Sequence, residues 1–166
     1  MSAPLAVGDL LFFHRHGPIR ALIHLGQWLR PSLRPWAHLT HVACVAAPGV
    51  LIEAEWPRVH ATPLDAYQSS EYVVARTGMD AHDQPQAAAY LNACVGERYG
   101  WLTFLGTALR MLTPGAGGLF FGGNRTAICS GMAACMLERG SFIAAGNAST
   151  MCPAALARAV GVPARS

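Results

Sequence analysis

Two apolar, β-prone runs, 39–47 and 50–56, meet at Pro48-Gly49. Such runs around a Pro-Gly pair predict a β-hairpin. In an antiparallel pair, residues that face each other share a side of the sheet, and alternate residues point the same way. The parity of the loop therefore decides which side chains His41 can meet. An odd-length loop puts His41 on the face of Glu53 and Glu55, whereas a two-residue loop puts it with Ala54 and Trp56. A carboxylate inside so apolar a strand is costly to bury without a partner, and His41 alone among seven histidines enters an apolar strand. A histidine–carboxylate pair thus requires the odd-length loop. Glu53, between Ile52 and Ala54, is the first candidate, Glu55 is the fallback, and parity does not separate them.

A paired imidazole can serve as the base for a nucleophile, and the sequence offers one far downstream. Ile128-Cys129-Ser130-Gly131-Met132 opens an apolar helix predicted over 129–139 and ended by Gly140. A thiol at a helix start feels the partial positive charge and free N–H groups there, which favour the thiolate. One of those N–H groups can also stabilise an oxyanion. Cys129, Met132, Ala133, Met136 and Leu137 follow helical spacing, which predicts one buried face. Cys44 and Cys94 sit in apolar runs and read as buried small hydrophobes, and mid-helix burial accounts for Cys135. Five cysteines, an odd number without CxxC spacing, argue against a disulfide framework and a zinc ribbon. His14 and His16 share a strand face, but no third ligand of recognisable spacing accompanies them, so neither a metal nor a cofactor is expected.

The remaining pattern is mixed α and β. A strand is expected at 9–13, then a helix over 19–29 with Pro18 at its first position and Pro31 as its stop. A proline-interrupted loop follows at 31–36, residues 59–61 extend the sheet, 63–65 form a turn and 71–76 another strand. Asp83 is the expected N-cap of a helix over 83–95 that Gly96 stops. An apolar helix over 101–112, a glycine-rich loop at 113–124 and a last helix from Pro153 to about Val160 complete the reading. The 166 residues, 52% hydrophobic and 13% charged, suit one domain over 1–166 with a core that needs no staples. A net charge of +3 with scattered arginines speaks against nucleic acid as a partner. No basic start with an apolar run marks a signal peptide, and no run has transmembrane length, so the cytoplasm is the default compartment.

Taken in order, Gly8-Asp9-Leu10-Leu11-Phe12, Thr40-His41-Val42-Ala43-Cys44-Val45 and Leu51-Ile52-Glu53-Ala54 resemble the permuted papain-like amidases of the YaeF/YiiX type. These are circularly permuted relatives of the NlpC-type cell-wall peptidases. Gly96-Glu97-Arg98-Tyr99-Gly100-Trp101, Ile128-Cys129-Ser130 and Cys152-Pro153-Ala154-Ala155-Leu156 extend the resemblance over nearly the whole chain. The resemblance implies an α+β papain-like fold, with a small antiparallel sheet packed on helices that include the nucleophile helix. It makes Cys129 the nucleophile, His41 the base and Glu53 the orienting residue, with Tyr99 near the cleft in an assisting role. The chain departs from the family pattern at Thr40 for serine, Gly131 for glutamate and Gly100 for aspartate.

The implied activity is that of a thiol amidase or peptidase acting on short peptides, with cell-wall (peptidoglycan) peptide as the leading substrate. A phage lysis or dedicated secretion route would bring such an enzyme to a wall. Two rivals stand beside it. Lecithin:retinol acyltransferase-like proteins share the permuted layout, which implies a lipid-directed acyltransferase or thioesterase with 101–112 and Leu119-Phe120-Phe121 toward acyl chains or a membrane surface. The other rival is an inactive module that binds a peptide in the same cleft.

Overall fold

The hairpin expected around Pro48-Gly49 forms the middle of a wide sheet. The computed structural model describes residues 4–100, 126–140 and 151–165. Within them lie strands β1 (Leu10–Phe13), β2 (His41–Ala47), β3 (Val50–Glu55), β4 (Arg58–Pro63), β5 (Tyr72–Ala75), β6 (Arg98–Tyr99) and β7 (Thr126–Ala127). The helices are α1 (Pro18–Trp28), α2 (Gln84–Cys94), α3 (Cys129–Arg139) and α4 (Pro153–Ala159). The strands form one sheet in the order β5-β1-β2-β3-β4-β6-β7. Every neighbouring pair is antiparallel except β6–β7, which is parallel. The architecture is α+β, with a sheet larger than expected. Strand β4 outruns the expected 59–61, and the two-residue strands β6 and β7 are too short to leave a periodic signal.

The loop at Pro48-Gly49 has two residues, not an odd number. Ala47 faces Val50 across it, with Gly49 at φ 72, yet further along Val45 faces Leu51 and Cys44 faces Ile52. Ala46 is therefore an extra residue on β2, a β-bulge. The bulge reverses the parity that the turn alone would impose. His41 consequently shares its face with Glu53 through a device that the loop count does not contain.

Both faces of the sheet are covered, so β1 and β2 read as continuous apolar runs and do not alternate. One face carries Leu11, Phe13, Ala43, Val45 and Leu51 under Leu5, Leu64, Tyr67 and Tyr72. The other carries Leu10, Phe12, Val42, Cys44, Ile52 and Ala54, against which the helices pack. Helix α3 lies on β2 and β3, between α2 and α4. It is buried on nearly all sides, Ser130, Gly131 and Ala134 included, where one buried face was expected. Small residues at those positions let neighbouring backbones close around it. Gly140 closes α3 by donating its N–H to Met136. Asp83 holds the N-cap position of α2 but makes no side-chain capping bond, because its backbone is already helical there.

The segment before β2 is held by Gln27 of α1, which has no solvent exposure. Its amide nitrogen donates to the carbonyls of Ala37 (2.9 Å) and Leu39 (3.0 Å), and its oxygen accepts from the Ala154 N–H at the start of α4 (2.8 Å). Leu39 lies two residues before His41, so this one amide ties α1 and α4 to the strand that carries it. The expected apolar helix at 101–112 and the glycine-rich loop at 113–124 lie outside the described residues.

Candidate active site

His41 is the first residue of β2 and Cys129 the first of α3, and the two meet at one end of the sheet. His41 and Glu53 have no solvent exposure, whereas Cys129 retains 5%. Of the three, only Cys129 keeps any access to solvent. The His41 Nε2–H donates to Glu53 Oε2 at 2.7 Å. A carboxylate only accepts, so this bond assigns the proton to Nε2 and leaves Nδ1 with its lone pair free. Nδ1 is buried and, among the described residues, has no partner at hydrogen-bond geometry. The ring also interacts with the Cys129 thiol.

The electrostatics of the pair oppose its burial. Burial alone pushes the Cys129 thiol up, but the interaction with His41, the charge of Arg20 and the Val42 amide outweigh it, so the thiol ionises below its ordinary 9.0. Burial likewise pushes His41 down, and the interactions with Cys129 and Glu53 raise it above its ordinary 6.5 despite the nearby Arg20. The two shifts favour one state, a thiolate beside an imidazolium. By contrast, burial and neighbouring anionic groups push Cys44 up, and burial leads the rise at Cys94, Cys135 and Cys152.

Glu53 is fully engaged. Oε2 takes the His41 bond, and Oε1 accepts from Thr62 Oγ1 at 2.6 Å and Tyr67 OH at 2.7 Å. Burial would raise this carboxyl, but the bonds and charge of His41, with Thr62 and Tyr67, hold it at about 2. Burial and the Glu53 charge push Tyr67 up to about 12, so its hydroxyl stays a donor. The Arg15 guanidinium lies over the Tyr67 and Phe13 rings at 5.0 and 5.2 Å and 3.9 Å from Glu53 Oε2.

Glu55 does not reach His41. It is bound by Arg20 at 2.5 Å and Arg15 at 3.4 Å, and Arg20 also donates to the Thr40 carbonyl at 3.4 Å. Glu53 therefore orients the ring, and Glu55 anchors two arginines beside it. Tyr99, on β6, packs with Ile19 and Ile23 of α1 and with Ile128, and burial together with the charge of Cys129 raises its hydroxyl. Sequence reasoning missed Thr62, Tyr67, Arg15 and Arg20. Their positions, in helix α1, in strand β4 and in loops, carry no motif, and only the demand of a buried carboxylate for three donors points to partners such as Thr62 and Tyr67. His14 and His16 stand edge to face 4.7 Å apart, and His14 Nδ1 donates to the His38 carbonyl at 2.6 Å. Among the described residues, no three His, Cys, Asp or Glu side chains are arranged to hold a metal.

Comparisons with protein-family models, curated proteins and solved structures return no match.

Proposed function

We propose that the protein is a cysteine hydrolase that cleaves amide bonds of short peptides, cell-wall peptide being the leading substrate. One observation carries this reading: a Cys-His-Glu chain in which Glu53 holds the Nε2–H of His41 and leaves Nδ1 for a thiol at a helix start. The Cys129 thiolate attacks the carbonyl carbon, and the negative charge moves to the carbonyl oxygen. First-turn N–H groups of α3, which a helix cannot satisfy internally, are donors for that oxyanion. The tetrahedral species collapses as the imidazolium of His41 gives its proton to the leaving nitrogen, leaving a thioester on Cys129. Neutral His41 then takes a proton from the water that attacks the thioester, and the second tetrahedral species expels the Cys129 thiolate and releases the carboxylic acid product, restoring the thiolate–imidazolium pair. Glu53 stays ionised throughout and stabilises the imidazolium. Tyr99, beside Cys129, is the assisting donor.

The test is iodoacetamide alkylation of each cysteine against pH, read by mass spectrometry in wild type and His41→Ala. Cys129 is expected to react well below its ordinary 9.0 and to lose that reactivity without His41, while Cys44 stays inert. An ordinary thiol titration at Cys129 would remove the activated nucleophile and leave a peptide-binding module. A peptide amide and an acyl thioester as paired chromogenic substrates then separate the amidase from the lipid-directed alternative.

A further inference from the structure

Helix α1 is built inside out. Its exposed residues are Pro18, Ala21, Leu22, Leu25 and Trp28, none of them charged or hydrogen-bonding through an aliphatic side chain, and Leu29 at its cap extends the row. Leu22, Leu25, Trp28 and Leu29 are 59%, 48%, 45% and 48% exposed. At spacings of three and four residues they form one stripe. The polar residues turn the other way: Arg20 binds Glu55 and the Thr40 carbonyl, His24 donates to Ala37, and Gln27 is buried. A helix that faced only water would show the reverse pattern. A contiguous exposed apolar stripe marks an interaction surface.

Charge identifies the occupant. Over residues 18–36 the chain has three arginines and not one carboxylate, and of these Arg20 turns inward to Glu55. Arg34 stacks over Trp28 at 4.7 Å and donates to its carbonyl at 3.1 Å, which places a cation at the end of the stripe. A second copy docked α1 on α1 would set these cations against each other, whereas anionic headgroups complement them. A tryptophan among leucines beside an arginine is also the composition of a helix that lies in a membrane interface. We propose that α1 docks the protein on an anionic lipid bilayer, with Leu22, Leu25, Trp28 and Leu29 entering the interface and Arg34 at the headgroups. The inner side of α1 meets Tyr99 through Ile19 and Ile23, so docking holds the Cys129 site at the bilayer surface. The proposal does not depend on the hydrolase reading.

The test is co-flotation of the whole chain with vesicles of phosphatidylcholine, alone or mixed with phosphatidylglycerol. Wild type is expected to float with the anionic vesicles, to be released by salt and to shift its tryptophan emission to the blue. Leu22→Glu/Leu25→Glu is expected to bind at least about tenfold more weakly, and Arg34→Gln to lose affinity for the anionic vesicles alone. Absence of flotation at low salt overturns the proposal, and so does a double variant that binds like wild type. Light scattering that finds a dimer dissociated by the double variant assigns the stripe to a second copy. If both the double glutamate variant and Leu22→Ser/Leu25→Ser lose cooperative thermal unfolding, the stripe is covered by the chain itself, which also overturns it.

Discussion

A carboxylate without solvent exposure persists in a sheet only where its lone pairs are met, and Glu53 meets them with His41, Thr62 and Tyr67. Removing one donor leaves the others in place, so Tyr67→Phe and Thr62→Val are each expected to cost about 1–2 kcal/mol in urea unfolding. The pH dependence has a definite sign. A folded-state value of about 2 against an ordinary 4.5 means that the contribution of Glu53 is complete above pH 4.5 and is lost as pH falls toward 2. In Tyr67→Phe the lower end of that window is expected to move up, which acid titration of the unfolding midpoint would reveal. Glu53→Gln keeps the shape but withdraws the charge that favours the imidazolium. Its turnover on a peptide amide is expected to fall by about 10²- to 10⁴-fold, with low-pH alkylation of Cys129 diminished as well.

The hairpin decides the site at the level of elements. Its turn has two residues, and the bulge at Ala46 restores the parity that puts His41 with Glu53. Deleting Ala46 is expected to turn His41 to the opposite face or strain the strand, abolishing low-pH alkylation of Cys129 and lowering the thermal midpoint. Gly49→Ala is the control. A Cβ there meets open space, so only the cost of a positive φ, about 1–2 kcal/mol, is expected, and Cys129 reactivity stays. Helix α3 was legible because Cys129 and Gly140 bracket its apolar residues, and its observed bounds are Cys129–Arg139. Its burial on nearly all sides was not legible, since alanine, glycine and serine give no amphipathic contrast. Strands β6 and β7 escaped notice because two residues cannot show a period.

Across the whole molecule, the site depends on segments far apart in the chain held in register. Gln27 links α1, the approach to β2 and the start of α4. Gln27→Leu fits the volume but strands the Leu39 carbonyl and the Ala154 N–H, while His24 still donates to Ala37, so a loss of about 2 kcal/mol or more is expected. Amide exchange at Ala154 should accelerate in the same variant. No helix among the described residues is long and apolar enough to cross a membrane.

The sequence by itself indicated the longer elements, the α3 bounds and the candidates Cys129 and His41, because local periodicity, helix ends and the cost of burying a lone histidine or glutamate are written in short stretches. It also restricted the carboxylate to Glu53 or Glu55. Only the tertiary structure chose between them, since the bulge at Ala46 and the arginines that take Glu55 are matters of register and proximity. The donors on Glu53, the burial of α3 on nearly all sides and the outward apolar stripe of α1 belong to the same class. Each depends on which surfaces meet after the chain folds, and sequence spacing carries no record of that.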